Sequence, residues 1–160
     1  MIEVMPKLWV GSDQDYHGLR PAEAWAVVHA SKEPYHREAL GYKTLGAPKA
    51  HLEYLVALRG NRLCLNMVDI DDPKWISPFM INSAISFIQE RLKSNWSVLV
   101  HCNQGGSRGP GVAMAYMAHV LPPEFDEAER EFTKLYPAYA PRAGIRGYLM
   151  NNWDLLSKGC

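Results

Sequence analysis

Cysteine is scarce: in 160 residues it stands only at positions 64, 102 and 160. Three scattered thiols are too few for a disulfide framework or a four-ligand zinc site, and an odd count fits a reducing compartment. Net charge is missing as well, with 17 Lys and Arg set against 17 Asp and Glu. No overall field therefore draws in nucleic acid or an anionic membrane, and any anion site must be local. No apolar run approaches the ~20 residues that cross a bilayer, and no basic segment followed by a short apolar stretch opens the chain. His17, His29, His36, His51 and His119 show no metal-ligand spacing, and repeats and low-complexity stretches are absent. The expectation is a soluble, cytoplasmic protein without a metal, without a nucleic-acid or membrane partner and without a cofactor. What is present is globular material. Apolar residues make up 48% and charged residues 21%, which excludes a disordered or fibrous chain, and the length suits one domain over residues 1–160.

Periodicity divides the chain into alternating elements. Short apolar runs at residues 7–12, 24–30, 62–68 and 97–101 read as strands, the last one central. Residues 31–49 mix Pro, Gly, His, Tyr and Lys without a period and read as a surface loop; residues 52–59 read as a short helix. Ser77 followed by Pro78 opens a helix, its hydroxyl suited to the orphan amides. Ile81, Ala84, Ile85, Ile88 and Leu92 carry that helix to about Lys93. Residues 112–118 are apolar on all sides, the mark of a helix that crosses the core. Two further helices present Phe125, Ala128, Phe132 and Leu135, and then Ile145, Leu149, Trp153 and Leu156. Strands alternating with helices imply α/β, with a short, mostly parallel central sheet covered by helices on both faces.

The chemistry concentrates at the end of the central strand, in His101, Cys102, Asn103, Gln104, Gly105, Gly106, Ser107 and Arg108. Open α/β sheets bind ligands at the carboxyl ends of their strands. Successive N–H groups in a glycine-rich turn converge on an anion, and the helix that follows adds positive potential. The same amides favour thiolate over thiol at Cys102. Arg108 can fold back to the loop mouth, where its planar fork takes two oxygens of a phosphate. A lone buried Cys is usually inert and a Gly-Gly turn usually only a turn; the conjunction of both with Arg108 points to catalysis.

The run His-Cys-x-x-Gly-x-Ser-Arg-x-Pro at residues 101–110 resembles the signature of the cysteine-dependent dual-specificity and tyrosine phosphatases. Residues 8–12, 87–88, 98–100 and 115–117 are similar to the opening strand, the helix before the signature, the signature strand and the helix after it. The resemblance covers most of the chain outside residues 31–60. It implies a dual-specificity phosphatase-like fold and a two-step reaction, in which a phosphocysteine forms at Cys102 and water then hydrolyses it. Phosphorylated protein or peptide is the implied partner, with Arg108 and the loop residues 103–107 holding the phosphate and His101 holding the loop. A general acid is also implied, about thirty residues before the cysteine. Of Asp69, Asp71 and Asp72, the spacing to residues 81–87 favours Asp71; a one-residue loop difference near Asn95 keeps Asp69 open. Lys74 and Trp75 follow, Trp75 being an aromatic expected to anchor its loop in the core. Cys64 and Cys160 read as bystanders.

One departure stands out. Gly109 occupies the place where the family carries a Ser or Thr, whose hydroxyl stabilises the departing thiolate, so a slow second step is implied. Two rival readings follow. A phosphoinositide or RNA 5′-phosphate could be the substrate, although the loop has no second Lys or Arg to read extra phosphates. Alternatively, the chain binds phospho-residues without turning them over.

Overall fold

The computed structural model describes residues 1–20 and 24–158. Cys160 lies outside them. A six-stranded sheet in the order β1-β2-β6-β3-β5-β4 forms the centre. Its strands are β1 (Ile2–Met5), β2 (Leu8–Ser12), β3 (Trp25–His29), β4 (Val56–Arg59), β5 (Arg62–Leu65) and β6 (Ser97–Cys102). The inner pairings β2–β6, β6–β3 and β3–β5 are parallel, and the edge strands β1 and β4 are antiparallel to their neighbours. The sheet is thus α/β and mostly parallel, as the alternation implied. Val98, Leu99 and Val100 of β6 are all fully buried, as a strand covered on both faces must be.

The two faces are covered unequally. One carries α3 (Pro78–Lys93), α4 (Arg108–Met117), α5 (Phe125–Leu135) and α6 (Ala143–Ser157) over the main apolar core, which includes Val10, Val28, Val100, Met114, Phe132 and Leu149. The other carries α1 (Asp13–His17), an irregular turn over Lys32–His36 and α2 (Arg37–Leu40), which cover a small cluster of Tyr35, Ala57 and Cys64. Because strand side chains alternate, Val100 and Cys102 join the main core while His29 and His101 meet Tyr16 and Tyr35 on the lesser face.

Several elements differ from the sequence expectation. Residues 52–59 do not form a helix: Val56–Arg59 is a strand whose Ala57 is buried and Leu58 exposed. It turns through Gly60, at φ +61°, and Asn61 into β5. A Gly-Asn pair between two short runs is a hairpin signal that outweighs the apolar spacing. The segment 31–49 is not simply a surface loop, since Ser31, Tyr35, His36 and Ala47 are buried. The strand expected over 62–68 stops at Leu65. Strand β1 and helix α1 were not foreseen; α1 starts at a capping box between Ser12 and Asp15, a reciprocal arrangement that satisfies two backbone donors. Helix α3 has the expected bounds, yet the Ser77 hydroxyl makes no capping hydrogen bond. On α5, Phe125, Ala128 and Phe132 are buried but Leu135 is exposed.

Candidate active site

Strand β6 lies between β2 and β3 and ends at Cys102, opposite Ser12 of β2. From there residues 103–107 loop back to α4, whose first residue is Arg108. The loop carbonyls are tied from outside: Asp13 N donates to Asn103 O at 3.1 Å and Ala140 N to Gly106 O at 2.8 Å. Tyr136 donates its hydroxyl to Gly105 O at 2.9 Å, and burial pushes that phenol up to about 12, so it keeps its proton. A peptide's N–H points opposite to its C=O. The amides of Gln104, Gly106 and Ser107 therefore point away from the groups that hold the carbonyls of 103, 105 and 106, and successive amides freed in this way are what an anion-binding concavity is built from.

Two glycines are required by this geometry. Gly105 has φ +75°, and a Cβ there would lie 2.9 Å from Gly11 O. At Gly109 a Cβ would lie 2.8 Å from the carbonyl carbon of His101 and 2.9 Å from Cys102 N. The first turn of α4 presses on strand β6 at a distance that a Cβ would not fit without a shift.

The loop borders a cavity of about 420 Å³, which Cys102, Asn103, Gln104, Gly106, Ser107 and Arg108 line together with Asp69, Ala140 and Arg142. Arg108 Nη2 donates to Asn103 Oδ1 at 2.9 Å, and its Nη1 to Met67 O at 3.2 Å and Ser31 Oγ at 3.3 Å. Its Nε is buried with no partner among the described residues. The Ser107 hydroxyl donates to Asp69 Oδ1 at 2.8 Å and accepts from Arg142 N at 3.0 Å, so one side chain joins the loop, the acidic segment and the start of α6.

The two acid candidates part company here. Asp69 lines the cavity, but Asp71 does not, and its side chain is 77% exposed. Arg142 stands between them, 4.0 Å from each carboxylate. Asp72 caps the short turn Pro73–Trp75 through Lys74 N and pairs with the Lys74 side chain. Trp75 is 64% exposed and does not anchor its loop in the core. His101 is fully buried and lines no part of the cavity. Burial holds its imidazole down to about 4 and that of His29 to about 2, so both are neutral. Among the described residues no cluster of His, Cys, Asp and Glu could hold a metal, and no helix is long and apolar enough to cross a membrane.

Sequence reasoning missed Ser31, His29 and Arg142. The first two follow from strand register, which places His29 beside His101 and Ser31 just past that strand end. Arg142 has no local signal; it reaches the cavity because helix α6 begins there.

Comparison with known proteins adds to this geometry. No family model matches. The human dual specificity protein phosphatase 16 is 32% identical over 71 residues, 44% of this chain and 11% of that protein. The mouse dual specificity protein phosphatase 2 is 29% identical over 154 residues, 93% of this chain and 42% of that one. The chain is thus similar in sequence to these dual-specificity phosphatases and shares the fold of the solved ones. It spans less than half the length of either curated relative. Among solved structures, DUSP15 superposes with a TM-score of 0.66 at 19% identity, covering 99% of this chain and 92% of that one. The human tyrosine phosphatase-like serine/threonine/tyrosine-interacting protein gives 0.65 at 20%, covering 97% and 96%.

Proposed function

We propose that the chain is a cysteine-dependent phosphomonoesterase acting on phosphotyrosine, and on phosphoserine or phosphothreonine, in protein substrates. One observation carries this reading: Cys102, the loop residues Asn103, Gln104, Gly106 and Ser107, and Arg108 line one cavity. The Cys102 thiolate attacks phosphorus in line, forming the S–P bond as the P–O bond to the leaving group breaks. The loop amides and Arg108 take the equatorial oxygens, whose charge they follow into the transition state. Asp71, which lies outside the cavity lining and 4.0 Å from the cavity residue Arg142, gives its proton to the leaving oxygen, then takes one from the water that cleaves the S–P bond. Asp69 is the poorer donor, because its Oδ1 already accepts from Ser107; it braces the loop instead.

The test is hydrolysis of para-nitrophenyl phosphate at pH 5–8 without added metal. Cys102→Ser abolishes it, and Asp71→Asn lowers kcat about 10²-fold with loss of the basic limb of the pH profile. A larger loss for Asp69→Asn would transfer the acid's role to Asp69. A second reading, a module that binds phospho-residues without turnover, draws on Gly109, where no hydroxyl side chain fits. Phosphate binding by a parent without hydrolysis would support it.

A further inference from the structure

We infer that Ser31 and Asn103 are positioning residues for Arg108, a pair of acceptors that grips the edge between its two terminal nitrogens and leaves its other edge, Nε and Nη2, for the phosphate. The inference rests on the reading of the cavity as a phosphate site. Arg108 Nη1 donates to Ser31 Oγ at 3.3 Å and Nη2 to Asn103 Oδ1 at 2.9 Å. These two acceptors stand only 2.6 Å apart. A guanidinium is planar and its five N–H groups point in fixed directions. Acceptors so close together, one on each terminal nitrogen, must both face the edge that those nitrogens share.

What remains of the side chain is a single edge. Nη1 also donates to Met67 O at 3.2 Å, so the end of the guanidinium meets three acceptors. Nε–H and the second Nη2–H lie together on the other side, and Nε has no partner among the described residues. Two parallel N–H groups of this kind match two oxygens of a phosphate. Arg108 lines the cavity with Cys102, and an arginine already held loses less conformational freedom when the anion arrives.

The gripping pair is itself fixed. Ser31 is fully buried just past β3, where Ala30 N donates to His101 O at 2.8 Å and Lys32 N to Met67 O at 2.9 Å. Asn103 Nδ2 donates to Glu33 O at 3.1 Å. That contact orients the amide, because the reverse setting would put an N–H against Arg108 and an oxygen against the Glu33 carbonyl. The Asn103 side chain, expected from the sequence to hold the phosphate, is committed to the arginine instead.

The experiment is proton–nitrogen-15 NMR of the arginine side chains during titration with inorganic phosphate, with Arg108→Lys identifying the Arg108 signals by their loss. The free parent should show separate terminal N–H signals for Arg108, because a gripped end does not rotate freely, and phosphate should move the Nε–H signal downfield. Ser31→Ala and Asn103→Ala should each merge the terminal signals and weaken phosphate binding about tenfold, near the lower worth of a hydrogen bond to a charged group. Merged terminal signals in the parent overturn the inference. So does phosphate that moves the terminal signals and leaves Nε–H in place, or a weakening under threefold in both folded variants. Should one variant not fold, the other and the parent spectrum decide. Phosphate binding needs no turnover: a parent that binds phosphate on Nε–H yet hydrolyses no para-nitrophenyl phosphate refutes the proposed function alone, and a parent that binds no phosphate refutes both.

Discussion

Lowering the pH from 7 to 5 should remove about 4 kcal/mol of folding stability, through histidines that the fold keeps neutral. His29 and His101 are fully buried, and burial depresses their imidazoles to about 2 and about 4. In the unfolded chain each titrates near ~6.5. Below that pH the unfolded state binds protons that the folded state refuses, so stability is complete above ~6.5 and falls as pH falls. Integrated from pH 7 to pH 5, each group contributes a loss of about 2 kcal/mol. His36, also buried and shifted down by burial, acts in the same direction. The carboxylates of Asp15 and Glu53 are shifted down, so their contribution is lost only at lower pH. Against a typical total of about 5–15 kcal/mol the effect is large. Urea denaturation followed by tryptophan fluorescence at pH 7, 6 and 5 measures it, and His29→Asn should reduce the dependence by about half. Stability that stays constant to within about 0.5 kcal/mol across this range would refute the assignment of neutral, inaccessible imidazoles.

Gly109→Ser, which supplies the hydroxyl that the resembled signature carries at this place, should lower the melting temperature. The new Cβ meets backbone at 2.8 Å, and overpacking of this kind costs about 1–3 kcal/mol. On the proposed function, Asp69→Asn, which weakens the acceptor for Ser107, should raise KM for aryl phosphates more than it lowers kcat, because in that reading the loop it braces holds the phosphate.

The sequence made the inner sheet and the loop legible for identifiable reasons. Strands β2, β3, β5 and β6 are apolar on both faces and short, and the loop between β6 and α4 carries its chemistry in contiguous residues. What escaped was non-local or half-exposed. Strand β4 buries only Ala57 fully, so its apolar pattern could not separate strand from helix, and only the Gly60-Asn61 turn could have. Arg142 reaches the cavity from forty residues beyond Cys102 by way of two helices. The choice between Asp69 and Asp71 is open in the sequence because residues two apart in an extended segment share a face, so patterning does not separate them; what does is that Asp69 accepts from Ser107 and lines the cavity while Asp71 does not.

The close approach of α4 also bears on how fast the second step runs. In the resemblance that residues 101–110 carry, a hydroxyl after the arginine stabilises the thiolate as it leaves phosphorus. A hydrogen bond to a charged group is worth about 1.5–3 kcal/mol, which is roughly 10- to 100-fold in the rate of departure. Gly109 supplies none. What it permits is a first helical turn packed against the His101–Cys102 peptide, closer than a Cβ would allow. A helix terminus contributes about 0.3–1 kcal/mol to a nearby anion, up to about 2 in partly buried sites. That offsets part of the missing hydrogen bond and leaves a deficit of about 1 kcal/mol, or about fivefold. The attack on phosphorus also benefits from the helix terminus and needs no hydroxyl, so the phosphocysteine should form faster than it is hydrolysed. Rapid mixing with para-nitrophenyl phosphate should then release a burst of nitrophenol close to one equivalent of enzyme before a slower steady rate. A linear trace from an enzyme that turns over would mean that some other group, or the helix alone, serves the departing thiolate fully.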